Sequence, residues 1–272
     1  MTAAEIIAHL RSLRDGRNIA GQRRYGITPA SEQFGVSAPV LRAIAREHRR
    51  NHALAAELWT SGIHDARILA TLVDDPKQVT RGQMERWARV CDNWAITDAC
   101  CCVLFDRTPF AIEKAHAWSR RRAEFVKRCG FVLMAGLAVH RKELPDGVFL
   151  RFLPVIRREA ADERNFVKKA VNWALRQIGK RNPHLRQAAI AAAKKIHLID
   201  SPAARWIAAD ALRELIKKDG APRRRAARSR RRCRGRGAGA PCSAARIRRR
   251  EFSENAAPPR SVPAHRHNPP WD

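Results

Sequence analysis

Negatively charged residues are scarce in this chain. Its 272 residues include 26 Asp and Glu against 54 Lys and Arg, which gives a formal net charge of +28 and a pI of about 11.4. Such an imbalance makes cationic partners unfavourable and favours a polyanion, either nucleic acid or an anionic membrane surface.

Long apolar runs are also missing. No stretch approaches the roughly 20 apolar residues that a transmembrane helix needs. The first residues, Met1 to Ile7, contain neither the basic segment nor the apolar core that is typical of an export signal. We therefore expect a cytoplasmic protein with no membrane partner.

Motifs of the common catalytic and cofactor-binding sites are absent. The chain has no Walker loop, no Gly-x-Gly-x-x-Gly fingerprint and no Ser/His/Asp or Cys/His nucleophile signature. Its seven cysteines include the consecutive run 100–102, which matches neither a disulfide framework nor a Cys-x-x-Cys zinc pattern. We expect buried, small apolar cysteines, with a metal or redox role as the weaker alternative, and we expect neither a cofactor nor a metal.

Helical periodicity dominates the chain before residue 220, without alternating strands or hairpin turns, so the predicted fold class is all-α. Thr2 is expected to cap a helix that runs to about Leu13, a broken glycine-containing stretch follows, and Ser37 is expected to cap the next helix. Thr80 and Asp146 are further predicted N-caps. The later helices are predicted at about 51–61, 64–74, 80–91, 93–106, 109–120, 122–141, 146–159, 163–180, 183–197 and 201–217.

Pairs of these predicted helices recur about every 35–45 residues, the period of HEAT-like repeats. Stacked pairs would form a HEAT-like helical-repeat solenoid with a concave basic surface, which suits a rod-shaped polyanion. Residues 1–220 are long enough for one large domain with a continuous core.

The composition changes at residue 221. Residues 221–272 hold 15 Arg and 3 acidic residues, a net charge of +12 that leaves +16 for residues 1–220. Few apolar residues remain, so we predict a disordered Arg-rich tail. It either adds non-specific affinity for phosphates or is an extension without a function.

The stretch Asn93-Trp94-Ala-Ile-Thr-Asp98 carries the strongest functional signal. A helix would place the indole of Trp94 and the carboxylate of Asp98 on one face, because they are four residues apart. A carboxylate beside an aromatic ring, in a protein suited to polyanions, suggests that the site stabilises a cation on a nucleic acid. The alternative is that Trp94 packs in the core and Asp98 bonds to a neighbouring helix end.

A second tryptophan lies in a basic helix predicted at 163–180. Lys169, Trp173, Arg176 and Lys180 follow i, i+4, i+7 and i+11 spacing on a different face from an apolar stripe. A tryptophan in such a stripe can pack on a sugar or base while its basic neighbours hold phosphates. A half-buried tryptophan flanked by solvated lysines is the alternative.

Between these two segments lies the basic stretch Arg120–Arg128. We interpret its first three arginines as a solvated charge run. Arg128 enters a long apolar helix within its first turns, where its guanidinium could hold a phosphate bidentately.

Several short motifs occur in order along the chain. They are Tyr25-Gly-Ile, Phe34-Gly-Val-Ser-Ala-Pro-Val-Leu-Arg-Ala-Ile-Ala45, Ala56-Glu-Leu-Trp59, His64-Asp-Ala-Arg-Ile-Leu-Ala70, Asn93-Trp94 with Asp98, and Phe166-Val-Lys-Lys-Ala-Val-Asn-Trp-Ala-Leu-Arg176. Together, over about residues 20–200, they resemble the DNA alkylation repair family, the AlkD-like HEAT-repeat DNA glycosylases.

The resemblance implies a DNA glycosylase, a hydrolase of N-glycosidic bonds that removes N3- and N7-alkylated purines from duplex DNA in base excision repair without metal or cofactor. It implies that Asp98 is the catalytic carboxylate, that Trp94 and Trp173 flank the deoxyribose, and that Arg128 binds the DNA backbone. Tyr25 is a further expected contact near the lesion.

The expected partner is therefore double-stranded DNA with alkylated bases, bound by a monomer. Two rival functions stay open. One is a non-catalytic HEAT-like binder of damaged or branched DNA. The other is a protein scaffold, which the net charge of +16 on residues 1–220 fits poorly.

Overall fold

A computed structural model describes residues 1–217, which form thirteen α-helices and no strand. The helices are α1 (Ala3–Ser12), α2 (Gly16–Arg24), α3 (Ala38–Glu47), α4 (His52–Thr60), α5 (His64–Val73), α6 (Arg81–Arg89), α7 (Trp94–Ala99), α8 (Ala111–Trp118), α9 (Glu124–His140), α10 (Asp146–Arg158), α11 (Asn165–Lys180), α12 (Pro183–His197) and α13 (Pro202–Lys217). A π-helical turn, Cys100–Leu104, and a 3₁₀ turn, Phe105–Arg107, continue α7. The predicted all-α class is confirmed for these residues, whereas the predicted tail, 221–272, lies outside them.

Two of the predicted N-caps form as expected. Thr2 makes a reciprocal capping box with Glu5, and the Thr80 hydroxyl accepts from the backbone N–H of Gln83 at 3.1 Å. Ser37 occupies the N-cap position of α3, but its side chain makes no cap hydrogen bond. The prediction for Asp146 is wrong by one position, because Pro145 is the N-cap of α10.

Helix α2 occupies the stretch that the sequence pattern leaves broken. Asp15 caps it by accepting from the backbone N–H groups of Arg17 and Asn18 at 2.8 and 3.2 Å. Gly16 and Gly21 obscure this helix in the sequence, because glycine costs about 1 kcal/mol relative to alanine in a helix interior. The cap by Asp15 and the burial of Ile19 favour the helix despite that cost.

The helices beyond α4 form a regular layered arrangement. The odd-numbered helices α5, α7, α9, α11 and α13 form a row in which each contacts the next, while α4, α8 and α12 pack against members of that row. Two of the hydrogen bonds that link successive members join residues 38 positions apart, one between Arg128 and Phe166 and one between Asn172 and Asp210. This separation agrees with the predicted repeat length, and the row brings α7, α9 and α11 side by side.

Small residues let these helices approach closely. A Cβ atom on Gly130 would lie 2.4 Å from the backbone nitrogen of Ser119, so only glycine allows α9 to meet the end of α8 there. The predicted burial of the cysteines is confirmed for those in the described residues: Cys91, Cys100–Cys102 and Cys129 are all buried and free of disulfides. Within residues 1–217, no helix combines the length and the apolarity that a bilayer crossing requires.

Candidate functional site

Helix α7 presents the tryptophan and the carboxylate singled out by the sequence. Asn93 caps it, its side-chain oxygen accepting from the backbone N–H groups of Ala95 and Ile96 at 3.0 and 3.3 Å. This cap starts the helix at Trp94, so Asp98 follows one turn later on the same face. The predicted spacing is therefore realised in the structure.

Asp98 forms a buried ion pair with Arg128 of α9. The guanidinium donates through Nε to Oδ1 at 2.9 Å and through Nη2 to Oδ2 at 2.8 Å, and the two residues are only 2% and 4% exposed. Nη1 of Arg128 donates to the carbonyl of Phe166 on α11 at 2.7 Å. One arginine thus ties together α7, α9 and α11.

This arrangement corrects the role expected of Arg128. The guanidinium group was expected to hold a phosphate, but its Nε and Nη2 donate to Asp98 instead. Its Nη1 donates to the backbone of α11. Arg128 therefore positions the carboxylate in this structure. The sequence could not reveal this, because Asp98 lies 30 residues earlier in the chain.

Trp94 lies beside Asp98 in a small apolar cluster with Ile27 and Ala95. It is 8% exposed, and its indole Nε1–H donates to the carbonyl of Tyr25 at 2.8 Å. The Tyr25 side chain itself is 62% exposed. Tyr25 thus fixes Trp94 through its backbone and leaves its ring available to a partner.

The glycine of the Tyr25-Gly-Ile motif is explained by the same cluster. Gly26 has a φ of +77°, and a Cβ atom there would lie 3.0 Å from Cζ of Phe166. Both the left-handed backbone and the close contact with the ring favour glycine.

Phe125 and Phe166 line this cluster and were missed as site residues. Both are half-buried and pack against it, and their ring centroids are 5.5 Å apart at an interplanar angle of 35°. A signal for Phe125 exists in the sequence, because it precedes Arg128 by three residues and so shares its helix face. Phe166 begins one of the family-like motifs, but it had no predicted role at the site.

Trp173 is placed differently from Trp94. It is 5% exposed and belongs to the main core, not to the small cluster around Trp94. It follows Phe166 by seven residues, roughly 10 Å along the axis of α11. Its indole Nε1 is buried and has no hydrogen-bond acceptor among the described residues.

Two of the predicted DNA contacts on α11 are ion pairs with α13. Arg176 Nη1 lies 2.7 Å from Oε2 of Glu214, and Lys180 Nζ lies 2.8 Å from Oε1 of the same carboxylate. The side chains of Arg176 and Lys180 are 12% and 20% exposed. In this structure α13 therefore supplies their counter-charge, and their contact with DNA stays a prediction.

Lys169 differs from these two cations. It is half-buried and has no acidic partner among the described residues. Its pKa is lowered from the ordinary value by burial first, and then by the positive charges of Arg128 and Lys168. A cation held under these conditions is a favourable place for an anion from outside the protein.

A second group of charges links α9 to the turn between α10 and α11. Lys127 pairs with Glu159 at 2.7 Å and with Asp162 at 3.1 Å, and Asp162 also pairs with Arg164 at 2.6 Å. Burial alone would raise the pKa of Asp162, but the hydrogen bonds from Arg164 and Lys127 outweigh it and lower the pKa to about 2. Because Lys127 adjoins Arg128, this network supports the geometry of the ion pair with Asp98.

Together these residues place one carboxylate and two cations next to an aromatic surface. Asp98, Arg128 and Lys169 contribute one negative and two positive charges, so one positive charge is left for an external anion. In residues 1–217 no cluster of three or more His, Cys, Asp or Glu is arranged to hold a metal ion.

Comparisons with known proteins agree with this architecture. A sequence model of the family described as DNA alkylation repair enzyme matches residues 6–218. The uncharacterized protein Lin0241 of Listeria innocua serovar 6a is 24% identical over 199 residues, which cover 72% of this chain and 87% of that protein.

A solved structure is also similar in fold. It is described as belonging to a new family of proteins related to the HEAT-like repeat DNA glycosylases with affinity for branched DNA structures. The two chains superpose with a TM-score of 0.66 at 19% identity, covering 79% of this chain and 95% of the other. The predicted HEAT-like repeat fold is confirmed.

Proposed function

Because the chain belongs to the DNA alkylation repair enzyme family, we propose that it is a DNA glycosylase that excises cationic N3- or N7-alkylated purines from duplex DNA in base excision repair. The observation that carries this proposal is the Asp98 carboxylate, held bidentately by Arg128 one helical turn from the indole of Trp94. In the same proposal the protein acts in the cytoplasm as a monomer.

The chemistry requires little beyond a fixed carboxylate. An alkylated purine already carries a positive charge, so it can leave without the general acid that a neutral leaving group would need. Departure of the base leaves an oxocarbenium-like sugar, which an ionised carboxylate stabilises while it orients the attacking water. Asp98 fits this role, because Arg128 holds both of its oxygens and so fixes the carboxylate one helical turn from Trp94.

Lys169 takes over the role of binding the phosphate. Its half-buried ammonium group lies close enough to Arg128 for the two charges to interact, and it has no counter-ion within the described residues. A backbone phosphate at Lys169 would neutralise the remaining positive charge of the site. It would also bring the adjoining deoxyribose toward α7.

The aromatic residues supply the remaining contacts. Tyr25, with its exposed ring, is the first available to the DNA. Trp94 and Trp173 would each stabilise a developing sugar cation by about 0.5–2 kcal/mol. Because both rings and Asp98 are more than nine-tenths buried, excision requires the site to open when DNA binds.

That burial also favours a second candidate function, a non-catalytic binder of damaged or branched DNA. A protein of this kind would keep the cationic surface while Asp98 stays sealed by Arg128 as a structural ion pair. The similar solved structure supports this candidate, because its family is described by its affinity for branched DNA structures.

The decisive experiment measures release of 7-methylguanine from duplex DNA, together with the affinity for the same duplex. We compare the wild-type protein with Asp98→Asn. Asp106→Asn is the matched control, because Asp106 is also buried and pairs with a basic side chain, that of His140, outside the site.

If the protein is a glycosylase, Asp98→Asn should lower the excision rate about 10²–10³-fold and leave the DNA affinity unchanged. The Asp106→Asn control should excise at the wild-type rate. Both variants are first shown to be folded. Duplex binding without any base release by the wild type would overturn the glycosylase proposal and support the binder. Absence of both binding and release would overturn both.

A further inference from the structure

A second cationic site lies near the start of the fold. A cavity of about 500 Å³ opens between the turn after α1, helix α2 and the loop 28–33. Its lining includes two guanidinium groups, those of Arg14 and Arg23, and two hydroxyls, those of Thr28 and Ser31. We propose that this cavity binds a backbone phosphate of DNA outside the lesion position, an inference that rests on the proposed DNA-binding function.

The donors around the cavity are available to a ligand. Neither Arg14 nor Arg23 forms an ion pair with any of residues 1–217, and the hydroxyls of Thr28 and Ser31 make no hydrogen bond there. The acidic lining residue, Glu32, is engaged at 3.2 Å by Arg11, which lies outside the lining. Two guanidinium groups and two hydroxyls around one cavity are suited to the oxygens of a phosphate.

The walls of the cavity are held by contacts with the rest of the fold. The backbone N–H groups of Phe34 and Val36 donate to the buried carboxylate of Asp65 at 2.7 and 2.8 Å. The N–H of His64 donates to the carbonyl of Glu32 at 2.9 Å. The loop is therefore ordered before any ligand arrives, which lowers the entropy lost on binding.

A glycine two residues after this loop, Gly35, is also required. Gly35 has a φ of +73°, and a Cβ atom there would lie 2.7 Å from Ile19, another lining residue. The Phe34-Gly-Val motif and the Asp65 carboxylate thus act together to shape the cavity.

The cavity is connected to the candidate active site through the same loop. Ala30 donates its backbone N–H to Asp92 at 2.7 Å, and Tyr25 accepts from Trp94, so two points of the segment are fixed to the start of α7. Arg23 is two residues from Tyr25, so their Cα atoms are at most about 7 Å apart. This corresponds to roughly two nucleotides along one strand.

The test compares Arg14→Gln/Arg23→Gln with the control Arg46→Gln/Arg49→Gln. Both pairs remove two exposed arginines that lack ion pairs within residues 1–217, so the loss of charge is the same. The affinity of the full chain for undamaged duplex DNA is measured as a function of salt concentration. Melting temperatures establish that both variants are folded.

We expect the cavity variant to bind DNA about 10-fold more weakly than the wild type. The slope of log K against log salt should be smaller in magnitude by about 1–2. The control is expected to change by less than about 2-fold. Equal losses in the two variants would overturn the proposal, because they would show that net charge alone matters.

A second arm distinguishes DNA from a free nucleotide as the source of the phosphate. Calorimetric titration with deoxyadenosine monophosphate should give no saturable binding at millimolar concentration. Binding that disappears in the cavity variant, with unchanged DNA affinity, would assign the cavity to a mononucleotide and overturn the proposal. Because undamaged duplex is used, failure of base excision would not affect this result.

Discussion

Breaking the buried ion pair between Asp98 and Arg128 should reveal both its contribution to stability and its role. Arg128→Gln leaves a carboxylate that is 2% exposed without its guanidinium and removes the donor to the carbonyl of Phe166. Removing one partner of a buried pair costs about 3–5 kcal/mol. For a folded region of this size, that loss lowers the melting temperature by roughly 10 °C.

A double-mutant cycle with Asp98→Asn isolates the interaction free energy between Asp98 and Arg128. Once one partner is gone, the second change removes an uncompensated buried charge, so the double variant should be more stable than the sum of the single losses predicts, by about 2–3 kcal/mol. Urea unfolding of the full chain at neutral pH, followed by circular dichroism, measures each free energy. Arg11→Gln is the control, because the pair Arg11–Glu32 is 61% and 45% exposed and should contribute less than about 1 kcal/mol.

The same variants separate positioning from phosphate binding. If Arg128 orients Asp98, then Arg128→Gln slows excision while the salt dependence of DNA binding stays unchanged. If Arg128 instead contacts a phosphate, the slope of log K against log salt falls by about 1. Additive losses of stability, or such a change of slope, would refute the assignment of Arg128 as a positioning residue.

Three further predictions follow from individual contacts. Lys169→Gln should weaken DNA binding and lower the slope of log K against log salt by about 1. Arg176→Gln loses its ion pair with α13, so it should reduce stability and leave that slope unchanged. Filter binding at several salt concentrations measures the slopes, and thermal unfolding measures the stabilities. Gly130→Ala should lower the free energy of unfolding by about 1–3 kcal/mol, because the added Cβ would clash with the backbone at the end of α8. Urea unfolding measures this loss, and an unchanged free energy would show that α8 and α9 can move apart without cost. Since the pKa of Asp162 is lowered to about 2, its carboxylate stabilises the fold above its unfolded pKa and loses this effect as the pH falls through 2. The stability advantage of the wild type over Asp162→Asn, about 1 kcal/mol after solvent screening, should therefore be constant above pH 5 and vanish near pH 2 in acid titrations.

Local interactions explain why much of the fold was predictable. The capping box of Thr2, the cap of Thr80 and the spacing between Trp94 and Asp98 depend on residues within one or two turns, so the sequence displays them directly. The HEAT-like rhythm is predictable for a related reason, because each helix needs an apolar face that recurs with helical periodicity. Helix α2 was missed because its glycines mask a helix that Asp15 and the tertiary contacts stabilise.

The sequence by itself determined an all-α repeat protein with a basic folded region and a helix that displays an indole and a carboxylate together. Only the tertiary structure decided which cations are available to DNA. The sequence does not distinguish Lys169 from Arg128, Arg176 and Lys180, since all four are cations in basic segments. In the structure, however, Arg128 pairs with Asp98, and Arg176 and Lys180 pair with Glu214. The physical reason is that the availability of a charge depends on what the neighbouring helix places opposite it. Here those partners lie about 30–38 residues away in the chain, beyond the reach of any local pattern.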